Sequence, residues 1–333
     1  MFKNKRLSLL ITLLLVVVFA WGVSAQNKTP FFNKRAGGGM VIADQTQTTG
    51  NYWFVDSGSV TGADAVGYGQ NPDSPCLTID YAIGLATANN GDIIVVMPGH
   101  SEELSTPAQI NADVAGIRIV GLGVGSDRPR INWATSGASW AISASDVEIS
   151  NIQLDIAGNN AAVSGDSAPT TGISIFSTVT GFRFNNNFVK ISTDSGNTID
   201  YVMYFSGGSN FVIANNEFLG GESVLSGITS VFYVKANSDI SDVKLLDNMV
   251  KAYTQDGSAI FEAATSRVSG FYARGGLYKQ GNTGLTAGTG ASVFSIDDAS
   301  GIVADVDVAM GQGFTHGSAG ITRYTLNNTA SDL

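Results

Sequence analysis

Apolar and polar residues alternate in short runs that recur along most of the chain. Three segments share the pattern apolar, x, apolar, x, Asn or Asp, Asn, x, apolar: residues 182–189, 211–218 and 243–250. With substitutions at the polar pair, the same frame matches four more segments: 117–124, 147–154, 271–278 and 302–309. An apolar period of two is typical of β-strands and excludes helices in these stretches.

The repeat has a nearly constant length. We call the first residue of the polar pair the anchor of each repeat. The seven anchors are Gly121, Asn151, Asn186, Asn215, Asp247, Gly275 and Val306, and their spacings are 30, 35, 29, 32, 28 and 31 residues. A unit of about 31 residues with two or three short strands cannot bury its apolar side alone, but stacked units form one continuous core. The sequence therefore predicts an all-β fold, a right-handed parallel β-helix of about eight coils.

The asparagines of the polar pair are predicted to shape the corners of the coils. Stacked coils place equivalent residues about 4.8 Å apart, so asparagine amides can hydrogen-bond along the stack as a ladder. Asparagine also tolerates the left-handed backbone that a sharp bend requires. A structural role is therefore favoured over a ligand-binding one for five residues: Asn186, Asn187, Asn215, Asn216 and Asn248.

Two segments precede the solenoid. Residues 1–25 contain three basic residues, an apolar run and an A-x-A-like site before Gln26, which predict a cleavable secretory signal. The apolar run is shorter than the ~20 residues that span a bilayer, so no transmembrane anchor is expected after cleavage. Residues 26–50 are polar and glycine-rich and are predicted to form a flexible leader. The expected localisation is secreted, extracellular or on the cell surface.

Residues 51–100 are predicted to form the N-terminal cap and the first coil. Thr78 to Ala88 has apolar residues at helical spacing, and this short amphipathic helix should cover the open top of the stack. A cap is needed because a terminal coil otherwise exposes apolar area and unpaired strand edges. The repeats follow over 101–310. Residues 311–333 form a tail with one predicted strand and no similar cap, so a homo-oligomer through the C-terminal end is expected.

Composition and charge narrow the functional classes. The chain has 333 residues, of which 40 are glycine and 14% are charged, as expected of an all-β protein with many turns. A net charge of −10 with scattered Lys and Arg argues against nucleic-acid binding, which needs clustered basic side chains. Cys76, the single cysteine, excludes an intrachain disulfide and is interpreted as a small buried residue. No EF-hand-like calcium loop is present, so no cofactor is predicted beyond weak Ca²⁺ binding.

Several pieces of sequence near the N-terminus resemble known β-helix proteins. The run LTIDYAIGLATANNGDIIVVMPG, residues 77–99, is similar to the entry segment of pectate-lyase-like right-handed β-helix proteins. A closer resemblance is to β-helix proteins of tailed phages, prophages and environmental viral sequences. Its matching pieces are WFVDSG (53–58), GYGQNPDSP (67–75), TIDYAI (78–83), NNGDIIVVMPGH (89–100) and DVAGIRIVGLGVGSDRPRI (113–131). The resemblance implies the fold and a virion or surface-structure role.

An enzymatic interpretation depends on three candidate residues. Asp305 and Asp307 form an acidic pair on the expected outward face, ~6.6 Å apart, a separation that suits two-carboxylate glycoside chemistry. His100 follows the first core strand beside two carboxylates, but no second His or Cys is nearby to complete a metal site. Asp297-Asp298 and Thr315-His316-Gly317 do not complete the polygalacturonase-like motifs. The favoured interpretation of Asp305 and Asp307 is a solvated acidic edge, and that of His100 is a turn residue.

Glycan binding without catalysis is the remaining case. Outward aromatic side chains stack on sugar rings, and six residues are candidates: Trp133, Trp140, Tyr201, Tyr204, Tyr253 and Tyr278. The strand register decides which of them face outward, because a shift of one residue reverses every side chain. The sequence favours a secreted or surface-displayed structural or adhesive protein that contacts polysaccharide or surface glycan. The alternatives are a carbohydrate-active enzyme, either a lyase or a glycosidase, and a viral appendage protein.

Overall fold

The computed structural model shows an all-β parallel solenoid, as predicted. It describes residues 48–135, 137–156, 171–191, 200–220, 228–254, 259–282, 294–300, 302–310 and 322–328. The predictions of a secretory signal and of most of the leader concern residues outside these ranges. Within them, no helix is both long and apolar enough to cross a membrane.

The strands, numbered in chain order, stack in three columns that we call the first, second and third sheets. The first sheet contains β1 (Tyr52–Val55), β2 (Ile93–Val96), β5 (Arg118–Gly121), β8 (Glu148–Ser150), β11 (Arg183–Asn185), β14 (Gly208–Ala214) and β17 (Ile240–Leu246). The second sheet contains β3 (Ser101–Leu104), β6 (Arg130–Trp133), β9 (Gln153–Ile156), β12 (Phe188–Ile191), β15 (Glu217–Gly220) and β18 (Met249–Thr254). The third sheet contains β4 (Ile110–Ala112), β7 (Trp140–Ile142), β10 (Thr171–Ile175), β13 (Tyr201–Phe205), β16 (Ser230–Val234), β19 (Phe261–Ser269) and β21 (Phe294–Ser300).

Two long strands complete the first and second sheets at the C-terminal end. β20 (Tyr272–Asn282) and β22 (Ile302–Met310) each run through both sheets. β23 (Thr322–Asn328) then pairs antiparallel with β22. The strand predicted in the C-terminal tail is therefore present, and it runs in the direction opposite to β22.

The number of coils differs from the prediction of about eight. The structure has about five turns, and in β2 to β16 each turn contributes one separate strand to every sheet. After β16 the strands lengthen, to 9 residues in β19 and 11 in β20. The polar pair has become Gly275-Gly276 at this point, and β20 continues through the corner instead of ending there. The sequence repeat therefore extends beyond the regular turns.

The backbone register follows the predicted repeat. The residues that directly precede six of the seven anchors are partners in neighbouring strands: Val120, Ser150, Asn185, Ala214, Leu246 and Arg274. Asp305, which precedes the seventh anchor, is the partner of Arg274. Four of the anchors, Asn151, Asn186, Asn215 and Asp247, have φ between 51° and 56°. The left-handed corner predicted for the asparagine pair is confirmed at its first residue, Asn186 and Asn215, and Asn151 and Asp247 adopt the same conformation.

The second residue of the polar pair forms a buried asparagine ladder. The side-chain oxygen of Asn216 accepts a hydrogen bond from the Asn187 N–H at 2.8 Å, and that of Asn248 accepts one from the Asn216 N–H at 3.1 Å. The side-chain amides donate to main-chain carbonyls, as Asn216 does to Phe184 at 2.7 Å. Asn187, Asn216 and Asn248 are 2% exposed or less. Their structural role is therefore confirmed, because each satisfies main-chain groups that the corner leaves unpaired.

A short helix covers the N-terminal end of the core. α1 (Ile79–Leu85) begins after Thr78, whose hydroxyl accepts a hydrogen bond from the Tyr81 N–H at 3.3 Å. Ile79, Ala82 and Ile83 on one face are buried in the same apolar cluster as the strands below. The predicted amphipathic cap is confirmed, although the helix ends three residues before Ala88.

Candidate functional site

The structure separates the six candidate aromatic residues into core and surface. Trp133, Trp140 and Tyr278 are 3% exposed or less and belong to the core. The side chain of Tyr253 lies outside the described part of the structure. Tyr201 and Tyr204 are partly exposed on the outward face of the third sheet. They are joined there by Tyr233, which the sequence analysis did not select.

The parallel register brings these tyrosines together. Tyr204 in β13 is the register partner of Tyr233 in β16, and Tyr233 is the partner of Glu262 in β19. On the other side, Tyr204 pairs with Ser174 in β10. The flanking residues Met203, Phe205, Phe232 and Val234 are buried at 1% exposure or less, so the tyrosines occupy the outward positions between core residues. The sequence repeat could have identified Tyr233, because Tyr204 and Tyr233 are 29 residues apart, which is also the spacing of Asn186 and Asn215.

The three rings form a compact cluster that we call the tyrosine platform: Tyr201, Tyr204 and Tyr233. The ring centroids of Tyr201 and Tyr233 are 4.1 Å apart with an interplanar angle of 19°. Tyr204 lies 5.8 Å from Tyr233 at 20° and 5.5 Å from Tyr201 at 39°. Tyr233 thus stacks with both other rings, and stacked rings at these distances attract one another and hold a preformed aromatic surface.

Two of the phenol groups of the platform, those of Tyr201 and Tyr204, have a raised pKa. Burial raises the pKa of Tyr201, and the neighbouring Tyr233 and the charges of Asp200 and Glu262 raise it further. Burial, and then Tyr233, also raises the pKa of Tyr204. These hydroxyl groups therefore keep both a donor and an acceptor for hydrogen bonds.

A fixed carboxylate lies at one end of the platform. Glu262 follows Tyr233 in the column, and its Oε2 accepts a hydrogen bond from the Ser230 hydroxyl at 2.8 Å. Ser230 is itself fully buried, which fixes the position of the pair. The platform thus combines three partly exposed aromatic side chains, their hydroxyl groups and one negative charge on a single sheet.

His100 is built into the corner between the first and second sheets. Its Nδ1 accepts a hydrogen bond from the Ser57 N–H at 3.0 Å. Nε2 lies 3.4 Å from Oε2 of Glu102, and that carboxylate accepts a hydrogen bond from the Ile79 N–H at 3.1 Å. His100 is 1% exposed and Glu102 is 7% exposed. The imidazole is therefore anchored through Nδ1 to the segment that follows β1, while its buried Nε2 approaches Glu102 without a hydrogen-bond partner.

Asp305 and Asp307 lie at the opposite end of the solenoid, in β22. Asp305 is in register with Arg274 of β20, and Asp307 is in register with Arg323 of β23. Seven strand steps separate β2 from β22 in the first sheet, about 34 Å at the usual strand spacing. The structure therefore does not bring His100 and the acidic pair into one site.

The remaining reactive side chains do not assemble a site in the described residues. No group of three His, Cys, Asp or Glu side chains is placed to hold a metal ion in the ranges described above. Cys76 is fully buried three residues before α1, and burial, with a contribution from the charge of Asp64, raises the pKa of its thiol to about 11. Its interpretation as a small buried residue is confirmed.

Comparisons with known proteins do not add a relative to this picture. A scan against protein-family models, a search of curated proteins and a search of solved structures each found no match. The solenoid fold is thus supported by the structure, and the resemblance to phage and pectate-lyase-like proteins depends on the sequence pieces alone.

Proposed function

We propose that this protein is a secreted or surface-displayed, non-catalytic β-helix that binds glycan through the tyrosine platform. The observation that carries the proposal is the stacking of three partly exposed tyrosines on the outward face of one sheet. Phenylalanine fills the equivalent inward positions, as in Phe205 and Phe232. The outward tyrosines therefore provide aromatic surface where the core does not require it.

The chemistry of the platform suits sugar rings. The C–H groups on one face of a pyranose pack against an aromatic face, while its hydroxyl groups bind phenol and carboxylate groups at the edge. Tyrosine supplies a large, amphipathic contact area at a low cost in side-chain entropy. Side chains on strands are also held more precisely than side chains on loops. The rigid sheet therefore supports binding with little reorganisation.

A binding role is favoured over catalysis by the arrangement of the charged groups. His100 is buried in a corner, and Asp305 and Asp307 are near the far end of the stack. Glu262, the carboxylate in register with the platform, is hydrogen-bonded to a serine. General acid–base chemistry on a glycosidic bond requires two groups on either side of that bond.

The test is a glycan array on residues 26–333, with a parallel assay for unsaturated or reducing-end products. Wild-type protein should bind a defined set of glycans without turnover. Tyr204→Ala and Tyr233→Ala should each weaken binding about tenfold or more, because truncating an aromatic residue at the centre of an interface costs ~2 kcal/mol or more.

The matched control is Tyr272→Ala, which removes a partly exposed tyrosine from the first sheet. It should bind as wild type does, and far-UV circular dichroism should show that all variants fold. Turnover of a bound glycan would overturn the non-catalytic assignment. Equal binding by Tyr233→Ala and wild type would show that the tyrosine platform is not the glycan-binding surface.

A further inference from the structure

We propose that Asn90 is a site of spontaneous deamidation and that the carboxylate formed there loosens the entry to the solenoid. The site lies in the turn of residues 87–92, between α1 and β2. It is separate from the tyrosine platform and does not depend on the proposed glycan binding. Its basis is the sequence of the turn and the contacts of one side-chain amide.

The sequence of this turn favours the reaction. Asn90 precedes Gly91, and this is the single Asn-Gly pair in the chain. Deamidation begins when the main-chain nitrogen of the following residue attacks the side-chain carbonyl carbon of asparagine. Glycine hinders this approach least because it has no Cβ atom. Asn90 is exposed, so water reaches its side chain.

Water is the only co-reactant that the reaction needs. The Gly91 nitrogen forms a bond to Cγ of Asn90 while the Cγ–Nδ2 bond breaks, and the amide takes the proton of that nitrogen and leaves as ammonia. Water then opens the cyclic imide. Cleavage of the new N–Cγ bond gives aspartate with the original main chain. Cleavage of the original peptide bond gives isoaspartate, whose main chain is longer by one methylene group.

The amide that is lost holds the buried carboxylate at the start of β2. Nδ2 of Asn90 donates a hydrogen bond to Oδ1 of Asp92 at 2.7 Å. Asp92 is fully buried, and the same oxygen accepts the Asn51 N–H at 2.7 Å. In the aspartate product an oxygen replaces Nδ2, so two carboxylate groups face each other at this distance. Two carboxylates that share a site repel each other strongly when both are ionised.

The turn also connects neighbouring coils. The Asn90 N–H donates to the carbonyl of Thr87 at 3.2 Å, and the Asn89 N–H donates to the carbonyl of Ala115 at 2.7 Å. Ala115 lies shortly before β5, so the turn before β2 is bonded to the turn before β5. Repulsion at residue 90, or a longer main chain in isoaspartate, therefore disturbs the contact between two coils.

The first test is incubation of residues 26–333 for several weeks at physiological pH and temperature, followed by peptide mass spectrometry. Asn90 should be modified about tenfold faster than any other asparagine, because each of the others precedes a residue that has a Cβ atom. A synthetic peptide of residues 87–92 provides the rate without the fold. Asn90→Gln keeps an amide but lengthens the side chain, and it should remain unmodified.

The second test measures the effect of the product by hydrogen exchange. Asn90→Asp should speed exchange of the Asn51 and Thr87 amides about tenfold, because both donate to Asp92 and hydrogen bonds to a charged group are the stronger ones. The control Asn89→Asp adds the same charge one residue earlier in the turn and should exchange as wild type does. The acidic isoform separated from aged wild-type protein should show the same faster exchange as Asn90→Asp.

Each part of the proposal has its own contradicting outcome. Modification of the synthetic peptide without modification of Asn90 in the protein would show that the turn protects this residue, and it would overturn the site. Equal exchange rates in Asn90→Asp, Asn89→Asp and wild type would overturn the effect on the entry to the solenoid.

Discussion

At the residue scale, one buried carboxylate organises the entry to the solenoid. Asp92 is fully buried at the turn before β2. It accepts hydrogen bonds from the main-chain N–H groups of Asn51 at 2.7 Å and Thr87 at 2.9 Å. The side chains of Trp53 and Asn90 donate to it at 3.2 and 2.7 Å. Burial would raise the pKa of Asp92, but these donors together lower it below its ordinary value.

The substitution Asp92→Asn should lower the free energy of unfolding at pH 7 by ~2–3 kcal/mol, the usual scale for hydrogen bonds to a charged group. A carboxyl group with a lowered folded-state pKa contributes stability that is complete above its unfolded pKa, near 3.9. That contribution is lost as the pH falls through the folded-state pKa. Wild type and variant should therefore converge in acid. The measurement is urea unfolding at several pH values between 7 and 2.

The exposed Asp73→Asn is the control for this prediction, and it should follow wild type at every pH. A stability difference between Asp92→Asn and wild type that persists unchanged in acid would show that the charge of Asp92 is not its source.

At the element scale, the corners between strands decide where each strand ends. A second column of left-handed residues lies near the start of the first-sheet strands, and two of its members, Asn210 and Asp242, fall within β14 and β17. The column consists of Gly91, Gly116, Asp146, Gly181, Asn210, Asp242 and Gly270. Only Gly, Asn and Asp occur there because other side chains collide with the backbone in this conformation. The corners therefore repeat as regularly as the core positions, although their residue types vary.

Gly121 shows a different requirement, which is space between two coils. A Cβ atom at Gly121 would overlap the main-chain carbonyl oxygen of Asn151 in the next coil. Gly121→Ala should therefore lower the free energy of unfolding by ~1–3 kcal/mol, the cost of overpacking. Gly84→Ala is the matched substitution in α1, where a Cβ would meet nothing within 4 Å.

Gly84→Ala should leave stability unchanged or raise it by up to ~1 kcal/mol through helix propensity. Thermal unfolding of both variants would test the pair. Equal effects of the two substitutions would contradict the close approach of the coils at Gly121.

At the scale of the whole molecule, stability is shared between neighbouring coils. Among the described residues, the main core cluster extends from Trp53 to Tyr278, and a small second cluster contains Phe54, Ile93 and Val95. Ile213 in β14 is fully buried and lies in register between Phe184 of β11 and Leu245 of β17. Since each coil contacts only its neighbours, damage at one coil should spread to the adjacent ones first.

Ile213→Asp should therefore destabilise the protein by several kcal/mol, because it buries an unpaired charge. Hydrogen exchange should show the loss of protection first in β11, β14 and β17. The control Val212→Asp changes the preceding residue, which is partly exposed on the outward face, and it should have a small effect. Similar melting of Ile213→Asp and wild type would contradict the observed register.

The predicted homo-oligomer through the C-terminal end stays a prediction. Among the described residues, β23 covers the edge of β22, and β21 is the last strand of the third sheet. An unpaired strand edge is a ready surface for pairing with another chain. A strictly monomeric mass in light scattering at micromolar concentration would contradict this prediction.

The candidate site was harder to predict from the sequence than the fold. Alternation identifies Ile213 and Leu245 as core residues, and both are fully buried. The same rule cannot classify Tyr201, because the two residues after it, Val202 and Met203, are both buried and break the alternation. Tyr233 was missed because it becomes notable only when Tyr204 lies beside it on the neighbouring strand.

The sequence by itself determined the repeat, the strand type, the asparagine corners and the capping helix, because each depends on local backbone preference and on burial at a fixed period. The tertiary structure alone decided the number of regular turns, the burial of Trp133, Trp140 and Tyr278, and the assembly of the tyrosine platform. Those features depend on register between strands about 30 residues apart. The register results from packing of the whole stack, and it determines which side chains become neighbours.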